Sequence, residues 1–143
     1  MIRGLNHLTL AVWDLERSFG FYTAVLDARP LMRWNTGAYL LLGDIWLCLS
    51  LADDAPKPAQ NYTHIALDVA PDAFATLAER LRAGNIPEWQ DNKSEGASLY
   101  FLDPDGHRLE IHSGDWQSRL AQYRIHPPAG AVFYPLPDIP DMP

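Results

Sequence analysis

Apolar and polar residues alternate through Asn6-His7-Leu8-Thr9-Leu10-Ala11-Val12, the period-2 pattern of a strand with one buried face. The pattern returns in Thr63-His64-Ile65-Ala66-Leu67-Asp68-Val69, with His64 standing where His7 stood. After each strand the period lengthens to that of a helix. Leu15, Phe19, Tyr22 and Leu26 form one stripe behind Asp14, a suitable N-cap, and predict a helix from about Leu15 to Leu26. Phe74, Leu77, Ala78 and Leu81 form the second, predicting a helix from about Asp72 to Ala83, with Pro71 at its start and Gly84 at its stop. Each half then supplies a strand hairpin. Ala38–Leu42 and Ile45–Leu49 are split by Gly43-Asp44; Ser98–Leu102 and Arg108–His112 are split by Asp103-Pro104-Asp105-Gly106, a strong turn signal. Another short strand should precede each hairpin, near Leu31–Trp34 and Pro87–Gln90.

The shared order predicts an α+β fold built from two β-α-β-β-β modules, at about residues 1–52 and 60–113. A third helix is expected over 115–124, capped by Asp115, which closes a single domain at residues 1–124. The tail, 125–143, carries Pro127, Pro128, Pro135, Pro137, Pro140 and Pro143, too many for a regular closing element. Each module leaves one sheet face needing cover. Two modules can share a curved sheet, within one chain or by exchange between protomers.

Composition narrows the function. Of 143 residues, 48% are apolar, enough for a real core. The net charge of −7 leaves no electrostatic footprint for nucleic acid, so an anionic ligand must be caught by a local pocket. The single cysteine, Cys48, forms no intrachain disulfide and fits a reducing compartment. The opening MIRGLNHLTLAV lacks an apolar segment with a small-residue cleavage site, and no apolar run approaches a membrane span. A cytoplasmic protein is expected.

Strand alternation sets the candidate chemistry. His7 and Thr9 oppose Leu8, Leu10 and Val12; His64 opposes Ile65 and Leu67; Glu110 opposes Leu109 and Ile111. Modules related by pseudo-symmetry bring equivalent positions together, so two imidazoles and a carboxylate can meet in one cleft. Two His and one carboxylate with open positions is a common catalytic metal set, suited to Mn, Fe, Zn or Ni. His107, beside the turn, is expected to face solvent. His112 can lie behind a ligand or in the core, and His126, among prolines, is assigned no role. No Gly-x-Ser-x-Gly elbow or phosphate loop is present. Cys48 reads as a small buried hydrophobe. The loop Asn92-Lys93-Ser94-Glu95-Gly96-Ala97-Ser98 can supply oxygens to a monovalent cation or hold an anion, or it is an ordinary polar loop.

Gly4 to Val12, Trp34 to Leu40, Trp46 to Ser50, Tyr62-Thr63-His64, Asn92 to Ser98 and Tyr100 to Glu110 closely resemble the FosA fosfomycin-resistance glutathione transferases. Those belong to the vicinal-oxygen-chelate (glyoxalase/bleomycin-resistance) superfamily, and the resemblance covers about Met1 to Arg124. It implies a homodimer of paired modules, domain-swapped between two chains, with the active site shared. It implies Mn²⁺ held by His7 of one subunit and His64 and Glu110 of the other, and K⁺ held by Asn92, Ser94, Glu95, Gly96 and Ser98. Phosphonate-holding positions map to Ser94, Ser98, Tyr100 and Arg119, with Trp46, Tyr62 and Gln90 also at the substrate. Thr9 matches a hydroxyl near the site of attack. The implied reaction is addition of glutathione to the fosfomycin epoxide.

Departures touch the substrate side. Gln90 stands where a lysine is usual, which removes a full charge near the phosphonate; Ile65 replaces a tyrosine, and Pro127-Pro128 a Pro-Tyr pair. The alternatives are an isomerase, dioxygenase or different thiol transferase of the same superfamily, or a non-catalytic drug-binding module. A glyoxalase would want a fourth ligand at the repeat position equivalent to Glu110, and that position is Cys48.

Overall fold

The computed structural model describes residues 1–135. Its first half comprises β1 (His7–Val12), α1 (Leu15–Gly20) running into a π-helical turn (Phe21–Val25), β2 (Arg29–Trp34), β3 (Gly37–Leu42) and β4 (Ile45–Leu51). The second half repeats that order as β5 (Ile65–Asp68), α2 (Pro71–Ala83), β6 (Glu88–Gln90), β7 (Ala97–Leu102) and β8 (Arg108–Ser113), followed by α3 (Trp116–Ile125).

Local chemistry sets the element ends. The Asp14 side chain accepts from the Arg17 N–H and starts α1. Asp115 and Ser118 form a reciprocal capping box that starts α3. Pro71 opens α2, where its missing N–H leaves no bond unmade. The first helix departs from its expected regular course. Gly20, a weak helix former, precedes a widened turn that turns the adjacent Phe21 and Tyr22 both inward, while Phe19 stays half-exposed.

The strands form two four-stranded sheets, ordered β1-β4-β3-β2 and β5-β8-β7-β6. In each, the first and last strands of the module pair in parallel and the rest are antiparallel. Within one chain, then, each module forms its own sheet, so of the two ways of sharing a curved sheet the one within a chain is not taken. One side of each sheet faces a common core. Leu10, Val12, Leu40, Leu47 and Leu49 come from the first sheet; Leu67, Leu99, Phe101, Leu109 and Ile111 come from the second. Phe21, Tyr22, Ala78 and Leu81 join them from the helical segments. The other side of each sheet turns outward, and the candidate site residues stand there.

The turn between β7 and β8 is locked to the first module. The buried Tyr22 hydroxyl donates to Asp103 Oδ2 at 2.7 Å, while Asp103 Oδ1 accepts from the N–H groups of Asp105 and His107. Asp105 accepts from the Trp13 N–H at 2.9 Å and from the Ser18 hydroxyl at 3.0 Å. Burial holds the Asp103 carboxyl above the usual carboxylate range; burial and the facing carboxylate push the Tyr22 phenol well above its own. His107, expected at the solvent, is half-buried instead: its Nε2 donates to the Ala11 carbonyl at 2.8 Å. That carbonyl lies on the other module, a partner that local sequence does not disclose.

After α3 the described part of the tail forms a turn at Pro128–Ala131, and Arg124 lies over the Phe133 ring at 4.6 Å. Neither helix nor strand occurs at 126–135. Pro137, Pro140 and Pro143 lie outside the described residues.

Candidate metal and substrate site

Strand register decides which side chains share the outward faces. On the first sheet His7 pairs with Trp46, Thr9 with Cys48, and Cys48 in turn with Tyr39. On the second, Glu110 lies between Ala66 and Tyr100, His112 opposite Ser98, and Gln90 opposite Tyr100. The pairs Leu8–Leu47 and Ile65–Leu109 put Cys48 at the repeat position of Glu110.

His64 and Glu110 meet. Nε2 of His64 lies 2.9 Å from Oε2 of Glu110, and Nδ1 lies 2.7 Å from the Tyr62 carbonyl. A carbonyl only accepts, so Nδ1 carries the donated proton. Nε2 and the facing carboxylate oxygen are close enough to share a proton or to grip one metal ion from two sides. The donor set fits a divalent metal with mixed nitrogen and oxygen ligands. Nor is Glu110 idle elsewhere: only 5% exposed, it accepts from the Ser98 hydroxyl through Oε1 at 2.6 Å.

The third predicted ligand is not with them. Among the described residues, no three His, Cys, Asp or Glu side chains converge to hold a metal ion within the chain. His7 stands on the first sheet, bonded through Nδ1 to Asn6 and 4.9 Å from the Trp46 ring. Thr9 is exposed beside it. Trp34, Tyr39, Trp46 and His7 run as a row of neighbouring rings, with centroids 4.9–5.2 Å apart. The indole Nε1 of Trp46 is buried and unpartnered.

Around His64 the structure gathers Tyr62, Trp89 and Tyr100, with ring centroids 4.9, 5.6 and 5.9 Å away. Trp89 was missed in the sequence. Simple alternation puts it opposite Gln90, but the ladder slips between Glu88 and Gln90 and leaves its ring on the outer face. Burial holds the Tyr100 phenol above its ordinary range, so it stays a proton donor.

The loop at 92–98 is held by its own groups. Asn92 donates to the Gly96 carbonyl at 2.9 Å and accepts from both the N–H and the hydroxyl of Ser94. Arg119 donates to the Glu95 carbonyl at 3.2 Å, and its Nε lies 3.5 Å from Glu95 Oε2, with neither of those atoms hydrogen-bonded. A cavity of about 480 Å³ opens there, lined among others by Lys93, Ser94, Arg119 and His126. Arg119 thus braces the loop, and it also lines a cavity with Ala66 and His112.

Paired β-α-β-β-β modules with His and carboxylate side chains on their outer sheet faces define a class: the chain belongs to the glyoxalase/bleomycin resistance protein/dioxygenase superfamily, whose family model matches residues 4–111. Within that class it is 51% identical over 137 residues to the glutathione transferase FosA of Serratia marcescens, covering 93% of this chain and 96% of that protein. The fosfomycin resistance protein FosX from Mesorhizobium loti superposes with a TM-score of 0.72 at 34% identity, over 84% of this chain and 99% of that one. A mutant of FosX from Listeria monocytogenes, solved with Mn(II) and 1S,2S-dihydroxypropylphosphonic acid, superposes with a TM-score of 0.72 at 29% identity, over 85% and 99% of the two chains.

Proposed function

We propose that the protein is a metal-dependent glutathione transferase that opens the epoxide of fosfomycin, or of a related small phosphonate, and so confers resistance to the antibiotic. The observation that carries this reading is the His64–Glu110 pair, an imidazole nitrogen and a carboxylate oxygen 2.9 Å apart, in a chain half identical to a glutathione transferase.

His64 and Glu110 would hold the metal together with His7 of a second copy. We read the metal as Mn²⁺, in keeping with the Mn(II) of the Listeria protein. A divalent ion there supplies Lewis acidity to an oxygen that gains charge as the ring opens. The chain's own groups do the rest. Tyr100 offers its retained proton to a phosphonate oxygen, and Gln90 offers an amide N–H beside it. Arg119 and the loop of Asn92, Ser94, Glu95, Gly96 and Ser98, read as a K⁺ site, offset the dianion in an otherwise acidic protein. Trp46 and Tyr62 wall the pocket. Thr9, two residues from His7 on the same face, orients the attacking thiol. Cys48 at the repeat position of Glu110 offers no second carboxylate, which keeps room on the metal for substrate oxygens.

A homodimer completes this site. Strand β2 exposes Leu31, Met32 and Trp34, and the second module exposes Tyr62; exposed large apolar side chains of this kind suit a contact surface. Exchange of modules between copies would cover those faces and carry His7 to its partners. We take residues 1–124 as the catalytic unit and 125–143 as an appendage. No helix among the described residues is long and apolar enough to cross a membrane, and we place the protein in the cytoplasm.

The test is ³¹P NMR of fosfomycin with glutathione, Mn²⁺ and the protein, with and without K⁺. The expected result is a new phosphonate resonance from the thiol adduct, growing faster with K⁺. A metal-loaded protein that yields only the diol, or no product, overturns glutathione transfer.

A further inference from the structure

We infer that Ser98 and His112 are positioning residues for Glu110, and that in the substrate-free site Ser98 gives its hydroxyl proton to that carboxylate. Ser98 and His112 face each other across β7 and β8, and Glu110 lies two residues from His112 on the same face. Ser98 Oγ donates to Glu110 Oε1 at 2.6 Å, a short bond of the kind made to an ionised carboxylate. A serine hydroxyl has one proton. His112 Nδ1, 2.7 Å from the same oxygen, must therefore donate into it. The relay runs from His112 Nδ1–H through Ser98 Oγ–H to Glu110 Oε1, and His112 Nδ1 also lies 3.5 Å from Oε1 directly.

The relay is a built feature. His112 sits in a slot between two glycines: a Cβ on Gly96 would come within 2.8 Å of its Cε1, and one on Gly114 within 2.7 Å of its Nε2. Gly96 is at φ +83°, so a side chain there would be strained as well as crowded. With Oε1 occupied by the serine, Glu110 keeps only Oε2, the oxygen facing His64, for a cation. The serine would thus fix the carboxylate in rotation and leave one of its oxygens to hold a cation. Outer partners of this kind orient a ligand and raise its affinity for the ion.

This inference rests on the metal site proposed above but is read on Mn²⁺ affinity, not on turnover. Equilibrium Mn²⁺ binding would be measured by EPR on full-length wild type, Ser98→Ala, His112→Phe, His112→Asn and the Ser98→Ala/His112→Phe double variant. Melting of each apoprotein reports on folding. Ser98→Ala and His112→Phe should each weaken Mn²⁺ binding about 10- to 100-fold. The double variant should be little worse than the weaker single one, because both changes break one chain of bonds. His112→Asn, whose amide can donate from nearly the same place, should recover most of the affinity. If Ser98→Ala keeps wild-type Mn²⁺ affinity and raises KM, the serine belongs to the substrate and the inference is overturned. If His112→Asn is as damaging as His112→Phe, the ring acts by packing and the relay is wrong. Wild type that binds Mn²⁺ but forms no adduct would end the proposed reaction while affinity still judges the relay; wild type that binds no Mn²⁺ would end both.

Discussion

At position 90 one side chain would set substrate binding in the proposed reaction. Gln90 pairs with Tyr100 across the ladder, so its side chain shares the outer face with the phenol and Glu110. A lysine there adds a cation where a dianion is proposed to bind. Charge-assisted hydrogen bonds exceed neutral ones by about 1–2 kcal/mol. Gln90→Lys should therefore raise kcat/KM for fosfomycin about tenfold in steady-state assays; an unchanged value would show that the phosphonate is neutralised elsewhere. Strand parity assigned His64 and Glu110 to matching faces, and they meet because β5, which follows His64, pairs in parallel with β8, Ala66 beside Glu110. Trp89 escaped because a slip in the ladder overrides parity. His107 escaped because its partner is a backbone carbonyl in the other module. The bond from His112 to Ser98 needed the antiparallel register, which turn residues hint at but do not fix.

Among the elements, the β7–β8 turn is the joint between modules. Its Asp103 is buried and its carboxyl is raised above the normal Asp value, chiefly by desolvation. At pH below the ordinary Asp value the folded and unfolded forms are both protonated, and the group contributes nothing. As pH rises from there through the raised folded value, the unfolded chain ionises first, so the group increasingly opposes folding. Asp103→Asn keeps an acceptor for the Asp105 and His107 N–H groups and an amide toward Tyr22, without the buried charge. Urea unfolding across acidic to neutral pH should show a flatter stability profile for Asp103→Asn than for wild type. A profile of unchanged slope would mean that other carboxylates set it. Tyr22→Phe, which leaves the carboxylate short of one donor, should destabilise by about 1–3 kcal/mol; no loss would show that the lock is redundant. Element order, hairpins and caps were all legible, since each has a local signal in Asp14, Asp115, Pro71 or the Asp-Pro-Asp-Gly turn. The π-helical turn was not. Its stripe of Leu15, Phe19, Tyr22 and Leu26 reads as a regular helix, and only packing against the core shows Phe21 turned inward.

For the whole molecule, duplication was legible because β1 and β5 repeat residue by residue, but its consequence was not. Two modules could have joined in one curved sheet; instead each closes its own and turns its polar face outward. His7 and the His64–Glu110 pair consequently stand on different sheets, and among the described residues of a single chain no three such ligands come together. In the proposed dimer a second copy would supply the missing imidazole and cover strand β2, whose side chains are exposed. The most direct test is Mn²⁺ binding by a mixture of His7→Ala and Glu110→Ala proteins after subunit exchange. Each variant alone has no complete site. In a mixed dimer, His7 from one chain meets His64 and Glu110 from the other, so a random equimolar mixture should recover about one quarter of the wild-type Mn²⁺ capacity. A mixture that binds no more Mn²⁺ than its two parents would contradict a site shared between chains.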